Sequence, residues 1–337
     1  MDTPSVYAPK EYRAKLNMID TQLGIKLVKD TFERKLAKAL NLIRVSAPLF
    51  VDSKSGLNDN LSGVERPVKF DLLEDGRVVE FVHSLAKWKR LALKRYGFGV
   101  GRGLYTDMNA IRRDETMDNT HSIYADQWDW ETIITPEQRT IGYLYQIADA
   151  IFVAIKQTQL VLNGAFPELG NGLPKHITYL TSQDLLDQYP GMTDKEREDA
   201  ICQKHGAVFI SQIGGKLSNG KPHDNRAPDY DDWELNGDIL IWHPVLERAL
   251  ELSSMGIRVD EATLERQLRI SAQEERRNLP FHSMLLRGEL PLTIGGGIGQ
   301  SRLCMLLLEK VHLGEVQASV WPDYVMEECE KKGIVLL

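Results

Sequence analysis

Arg302 sits at the end of the stretch Thr293-Ile-Gly-Gly-Gly-Ile-Gly-Gln-Ser-Arg-Leu303, which has glycines at 295, 296, 297 and 299. Without a Cβ, glycine lets a backbone approach something flat or pack tightly on a neighbouring strand. The stretch reads as a strand running into a helix, with Gln300, Ser301 and Arg302 in the helix's first turn. Free N–H groups and the helix dipole favour an anion there. The Arg302 guanidinium adds a planar fork that suits phosphate or stacks on a base, so a nucleotide seat is one reading. A glycine bulge between a strand and a helix is the structural alternative. The two common phosphate loops are excluded: Gln300 stands where G-x-G-x-x-G needs its third glycine, and Gly215-Lys216 is followed by Leu217.

Other residues could share such a site. From His121 to Glu131 the chain alternates by period two, with Ser122, Tyr124, Asp126, Trp128 and Trp130 on one face. Gln127, Asp129 and Glu131 fall on the other, a poor lining for a dry core and a good floor for a polar pocket. Val78 to Val82 reads as a strand opening onto His83-Ser84-Leu85-Ala86-Lys87-Trp88-Lys89-Arg90, a helix start with Ser84 as its cap. Its basic residues around Trp88 are either a solvated face with an aromatic anchor or a site for an acidic small molecule. Asp59, in the turn-rich loop from Gly56 to Gly63, reads as a turn former.

The acidic residues between Asp224 and Asp232 repel one another unless a cation neutralises them, although water suffices in an exposed loop. Asp238 opens a buried strand that runs to Trp242. The next strand, Leu250 to Val259, carries Glu251, Ser253 and, past an expected bulge at Gly256, Arg258. Glu251 and Arg258 are either an internal salt bridge or the ends of a site that holds Mg²⁺ at one end and a carboxylate at the other.

The elements that would position these groups follow from periodicity and turn signals. A helical pattern spans Tyr12 to Leu40, with Gly24 a break and Asp30 a cap answered by Glu33. A strand from Leu42 follows and ends at Pro48. Gly97 to Gly103 is a glycine-rich candidate flap. Pro136 to about Leu162 and Asp194 to Lys204 read as helices, and His176 to Leu180 and Ala207 to Ser211 as short strands. A helix from Asp260 to about Arg277 leads back to the glycines.

At 337 residues, 42% apolar and 26% charged, the composition is that of a globular protein with a sizeable core. No apolar run reaches the ~18 residues a membrane helix needs, and the N-terminus lacks a signal peptide's apolar segment, so a cytoplasmic location is expected. Cys202, Cys304 and Cys329 are odd in number and widely spaced, which points to free thiols. A net charge of −7 without a dense Lys/Arg block gives no footprint for nucleic acid, which is not expected as a partner.

Gly297-x-Gly299-x-x-Arg302-Leu303 resembles the third signature motif of class II aminoacyl-tRNA synthetases. The long helix, strand and proline up to Pro48 resemble the first motif. The strand before Arg112, its loop and the strand through Gln127 resemble the second, with Arg113 as the neighbour that could be confused with Arg112. The phrases Asp59-Asn60-Leu61-Ser62-Gly63, Val82 to Arg90, Asp126 to Trp130, Arg226 to Trp233 and Glu251 to Arg258 narrow the resemblance to the ammonia-dependent asparagine synthetases, over about residues 20 to 325. A short link from Trp233 to Asn236 departs from that family and leaves the loop bearing Asp231 less defined.

The resemblance implies an α+β fold, a mostly antiparallel eight-stranded sheet flanked by helices, in one catalytic domain with residues 136–205 as an inserted or structural layer. It implies a homodimer acting on L-aspartate, ATP and ammonia, in which β-aspartyl-AMP forms and ammonia then displaces AMP. ATP is the co-substrate and Mg²⁺ the metal. Arg112, Ser122, Asp231, Asp238, Glu251, Gly299 and Arg302 would contact the nucleotide, with Asp238 and Glu251 also as metal ligands. Asp59, Ser84, Lys89, Gln127, Asp129, Ser254 and Arg258 would hold aspartate; Arg112, Arg302, Asp59 and Lys89 form the catalytic set. The alternatives are an aminoacyl-tRNA synthetase or tRNA-modifying core, disfavoured because no ~100-residue stretch is left over for an anticodon-binding barrel, and a non-catalytic amino-acid sensor, which would not need both Arg112 and Arg302.

Overall fold

The computed structural model describes residues 6–59, 65–170 and 172–337. Helix α1, Met18–Leu40, runs unbroken from an N-cap at Asn17, whose side chain accepts the Asp20 N–H at 2.9 Å, to a left-handed C-cap at Asn41. The expected cap at Asp30 and break at Gly24 are therefore absent. Gly24 is instead a contact point, because a Cβ there would come within 2.7 Å of the Leu308 side chain. Val28, Phe32, Leu36 and Leu40 form its buried stripe, while Ile19 and Leu23 face solvent.

Three strands follow: β1 (Leu42–Arg44), β2 (Phe50–Asp52) and β3 (Lys69–Asp71). Next come β4 (Val78–Phe81) and α2 (Ala86–Arg95). The N-cap of α2 is Leu85, not Ser84, although Ser84 Oγ still accepts the Ala86 N–H at 3.1 Å. Strands β5 (Gly103–Ile111) and β6 (Tyr124–Ile133) make a long hairpin, followed by α3 (Ile141–Ala165), β7 (Thr178–Thr181), α4 (Ser182–Gln188), α5 (Asp194–His205) and β8 (Ala207–Ser211). Then β9 (Asp231–His243) and β10 (Arg248–Arg258) pair, with the register shift expected at Gly256 and a second between Glu251 and Ser253. The chain continues with α6 (Glu261–Ile270), α7 (Pro280–Leu286), β11 (Thr293–Gly299), α8 (Gln300–Leu307) and α9 (Asp323–Lys331).

Among the described residues, eight strands form one sheet in the order β1-β5-β6-β11-β10-β9-β8-β7. Its five inner pairings are antiparallel, but both outer pairings, β1 with β5 and β7 with β8, are parallel, so the sheet is mixed. A smaller sheet, β2-β4-β3, stands apart. One face of the large sheet packs its apolar side chains, including Trp128, Trp130, Ile257, Ile294 and Ile298, in a core shared with α1, α3 and α8. Within 136–205, α3 contributes Leu144, Ile151 and Ile155 to that core, and β7 joins the sheet at its edge. The glycine-rich segment before β5 does not act as a flap over the cavity. Gly101 donates to Ile133 O at 2.9 Å and its carbonyl accepts from Asn41 Nδ2 at 2.8 Å, which pins it to the end of the sheet. No helix among the described residues is long and apolar enough to cross a membrane.

Candidate active site

The other face of the sheet carries a cavity of about 350 Å³ over β6, β11 and β10. Gly295 and Gly297 of β11 make room on this face for Glu131, Arg258 and Gln127, while Gly296 between them lets β11 pack on the core-side Met255. A Cβ on Gly295 would lie 1.9 Å from Glu131 Oε2 and 2.6 Å from Arg258 Nη2; on Gly296, 2.6 Å from Met255 Cβ; on Gly297, 2.3 Å from Gln127 Oε1. The glycine stretch thus makes room for side chains of the neighbouring strands. As expected, it ends in α8, whose first turn holds Gln300, Ser301 and Arg302.

Of the residues named from sequence, Asp59, Ser84, Lys89, Arg112, Ser122, Gln127, Asp129, Asp231, Glu251, Ser254, Arg258, Gly299 and Arg302 all line this cavity. Asp238 does not line it, but is bonded to Arg226, which does. Residues 60–63 of the Asp59 motif fall outside the described residues.

The closed end is a buried ion network. Arg258 Nε donates to Glu131 at 3.0 and 3.1 Å, its Nη2 to Glu131 Oε2 at 2.7 Å, and its Nη1 to Asp231 Oδ1 at 2.5 Å. One N–H on each terminal nitrogen of Arg258 is left over for the cavity. Lys89 Nζ donates to Asp129 Oδ1 at 2.5 Å, Trp130 O at 2.9 Å and Gly296 O at 3.1 Å, so its three donors are committed to the wall. Burial alone would raise the Glu131 carboxyl, but Arg258 and Lys89 hold it below the ordinary value. For Asp231 burial prevails over Arg258 and the carboxyl is raised. Burial lowers Lys89 despite Asp129. The structure therefore groups Asp231 with Lys89 and Arg258, not with Asp238 and Glu251. Asp129 Oδ2 has no hydrogen-bond partner.

The open end is built from the β5–β6 loop and the start of α8. Arg302 Nη1 donates to Glu251 O at 3.1 Å and its Nε to Thr120 O at 3.3 Å; its nearest carboxylate oxygen, Glu251 Oε1, is 4.0 Å away. Arg112 is tied by its backbone N–H to Ile123 O at 2.8 Å, and its Nε has no partner. Glu251 and Asp238 lie on paired strands, with Asp238 opposite Ser254. Burial, with Glu251 nearby and despite Arg226, raises the Asp238 carboxyl to about 7. Burial would raise Glu251 too, but Arg302 and Arg226 bring it below the ordinary value. Asp238 Oδ1 is buried without a partner. The two carboxyls influence each other, and the Asp238 oxygen without a partner is an acceptor of the kind a hard cation takes. No group of three or more His, Cys, Asp or Glu residues suited to a metal is gathered among the described residues.

Sequence reasoning did not assign a role to Arg226 or Gln317. Arg226 lies within the quoted motif from Arg226 to Trp233, and its Nη2 is bonded to Asp238 Oδ2. Gln317 lies beyond α8 and donates to Asp126 at 3.3 Å and Ser301 Oγ at 3.1 Å. Glu131 was legible as part of a polar floor, but its pairing with Arg258 was not.

The fold is class II aminoacyl-tRNA synthetase-like. An asparaginyl-tRNA synthetase from Pyrococcus horikoshii, solved with asparaginyl-adenylate, superposes with a TM-score of 0.66 at 13% identity, over 90% of this chain and 70% of that one. A putative aspartyl-tRNA synthetase from Leishmania major does so with a TM-score of 0.63 at 12% identity, over 89% and 64%. The chain belongs to the aspartate-ammonia ligase (AsnA) family, whose model matches residues 19–333. An aspartate–ammonia ligase of Clostridium tetani is 60% identical over 98% of this chain and 97% of its own length, and one of Lactobacillus johnsonii is 57% identical over 98% of both.

Proposed function

We propose that the chain makes L-asparagine from L-aspartate, ammonia and ATP through β-aspartyl-AMP. A side-chain carboxylate oxygen of aspartate attacks the α-phosphorus of ATP, the bond to the bridging oxygen breaks, and pyrophosphate leaves. The nitrogen lone pair of ammonia then attacks the acyl carbon, AMP departs with the bonding electrons, and the nitrogen loses a proton. The observation that carries this reading is one cavity with a preformed charge network at one end and Arg112 and Arg302 at the other.

In this reading the spare N–H groups of Arg258 take the aspartate carboxylate that does not react. Asp129, held by Lys89, accepts from the amino group, with Asp59, Ser84, Gln127 and Ser254 completing the polar rim. Lys89 acts by fixing Asp129 and the Gly296 carbonyl. Arg112 and Arg302 balance the charge that develops on the phosphates, and Ser122 and Gly299 border the nucleotide. Asp238 and Glu251 would hold Mg²⁺, which would neutralise the polyphosphate and orient it for departure. Asp231 serves this site by holding Arg258 in place.

The chain acts as a homodimer across α1 and β1, a reading supported by the exposed Met18, Ile19, Leu23 and Ile43. A cytoplasmic setting fits its substrates. The synthetase alternative is not favoured, since 12–13% identity to tRNA synthetases carries fold alone while ligases match at 57–60%.

Incubating the protein with aspartate, ATP, Mg²⁺ and ammonium chloride, without RNA, should yield asparagine and AMP in equal amounts. ADP in place of AMP would rule out the adenylate route, and turnover only with tRNA would restore the synthetase reading.

A further inference from the structure

Arg226 is held at the open end by an unusual set of partners. Its Nη2 is bonded to Asp238 Oδ2 and lies 3.7 Å from Asp224 Oδ2, and its Nη1 reaches Ser254 Oγ at 3.5 Å. The guanidinium therefore sits on one of the two carboxylates proposed above to hold a divalent cation, and it lines the same cavity as Arg112 and Arg302. Its side chain keeps 14% exposure, and it belongs to the irregular segment between β8 and β9, not to a strand. Asp238 Oδ1, the oxygen Arg226 leaves unbonded, is the orphaned acceptor noted above.

We propose that Arg226 is a resident counter-ion that holds the Asp238–Glu251 pair while the nucleotide is absent and transfers to the polyphosphate when metal-bound ATP enters. This rests on the metal placement under Proposed function. A divalent ion on the open Asp238 Oδ1 would stand close to the guanidinium on Oδ2, and their mutual repulsion favours release of Arg226 as the ion arrives. The displaced Arg226, on a loop beside the cavity, meets the phosphate oxygens that arrive with the ion, and its planar fork suits them. No covalent step is involved. The exchange keeps the acid pair neutralised in both states, and departure of pyrophosphate with its metal returns Arg226 to Asp238.

The test uses Mn²⁺ as the probe, titrated into the whole nucleotide-free protein at pH 8.5 and followed by electron paramagnetic resonance. In Arg226→Gln the competing cation is gone, so Mn²⁺ should bind on the order of tenfold more tightly, as expected when one like charge is removed from such a site. The same variant should bind ATP more weakly, and Arg226→Lys should restore wild-type Mn²⁺ affinity. Unchanged or weaker Mn²⁺ binding in Arg226→Gln would overturn the exchange. So would a Gln variant that cannot fold beside a folded Lys variant, because a residue that must leave Asp238 cannot also be the strut that holds the fold. Asp238→Asn is the control: if it leaves Mn²⁺ affinity untouched, the metal placement itself fails, an outcome distinct from failure of the exchange.

Discussion

At the closed end of the cavity Arg258 commits three of its five N–H groups to Glu131 and Asp231 and keeps only 3% of its side chain exposed; at the open end Arg302 donates to two backbone carbonyls and keeps 23%. The same side chain thus does opposite work. Arg258 is charge-balanced before any ligand arrives, so the closed end is a rigid mould whose shape cannot adapt without breaking buried ion pairs. Arg302 is matched only loosely, by Glu251 at 4.0 Å, and Arg112 Nε has no partner, an arrangement that leaves both guanidinium groups donors to offer a ligand. A small amino acid with fixed geometry suits the first arrangement, and a polyphosphate that arrives, is cleaved and leaves suits the second.

This contrast can be broken most forcefully at Arg258. Arg258→Ala leaves Glu131 and Asp231 buried without their cation, and the expected cost is ~3–5 kcal/mol of folding stability. Urea unfolding would measure it, and a variant of wild-type stability that had only lost aspartate affinity would show that the closed end is not a mould.

Arg302→Ala should behave in the reverse way, with an unchanged unfolding midpoint and a ~100- to 1,000-fold loss of adenylate formation. Aspartate-dependent exchange of pyrophosphate into ATP reads this directly, and near-normal exchange would remove Arg302 from the phosphates.

The third expected effect, spread over several pH units and so small at any one of them, is a pH dependence confined to the open end. Asp238 is raised from 3.8 to about 7, so the folded state holds its proton more tightly than the unfolded chain. Its stabilising contribution is complete below about pH 4 and is lost as pH rises through about 7, on the order of 1 kcal/mol per pH unit at most. Metal-free wild-type protein should lose stability between pH 5 and pH 8, and Asp238→Asn should lose less. Equal slopes in the two proteins would mean that Asp238 is not a strained acid.

Much of this site could be read along the chain because its signals are local. The glycine stretch before Arg302 does run from a strand into a helix, and the period-two pattern from His121 to Glu131 separated Trp128 and Trp130 from Gln127 and Asp129 as the sheet does. The bulge at Gly256 was legible for the same reason. Local signals also misled. Asp30 with Glu33 has the form of a helix start, yet packing of Phe32 and Gly24 against the core carries α1 straight through it. The glycines from 97 to 103 suggested mobility, but a hydrogen bond to Ile133, distant in sequence, pins Gly101.

Residue types and their order thus mark which groups are candidates for a polar site, because alternation, glycine conformation and side-chain charge are properties of short stretches. Tertiary packing alone decides how each charge is used. Lys89 meets Asp129 from 40 residues away, Arg258 meets Glu131 from 127 and Arg302 meets Glu251 O from 51. Burial at those meeting points, absent from any single stretch, determines whether a cation is already matched or still open to a ligand.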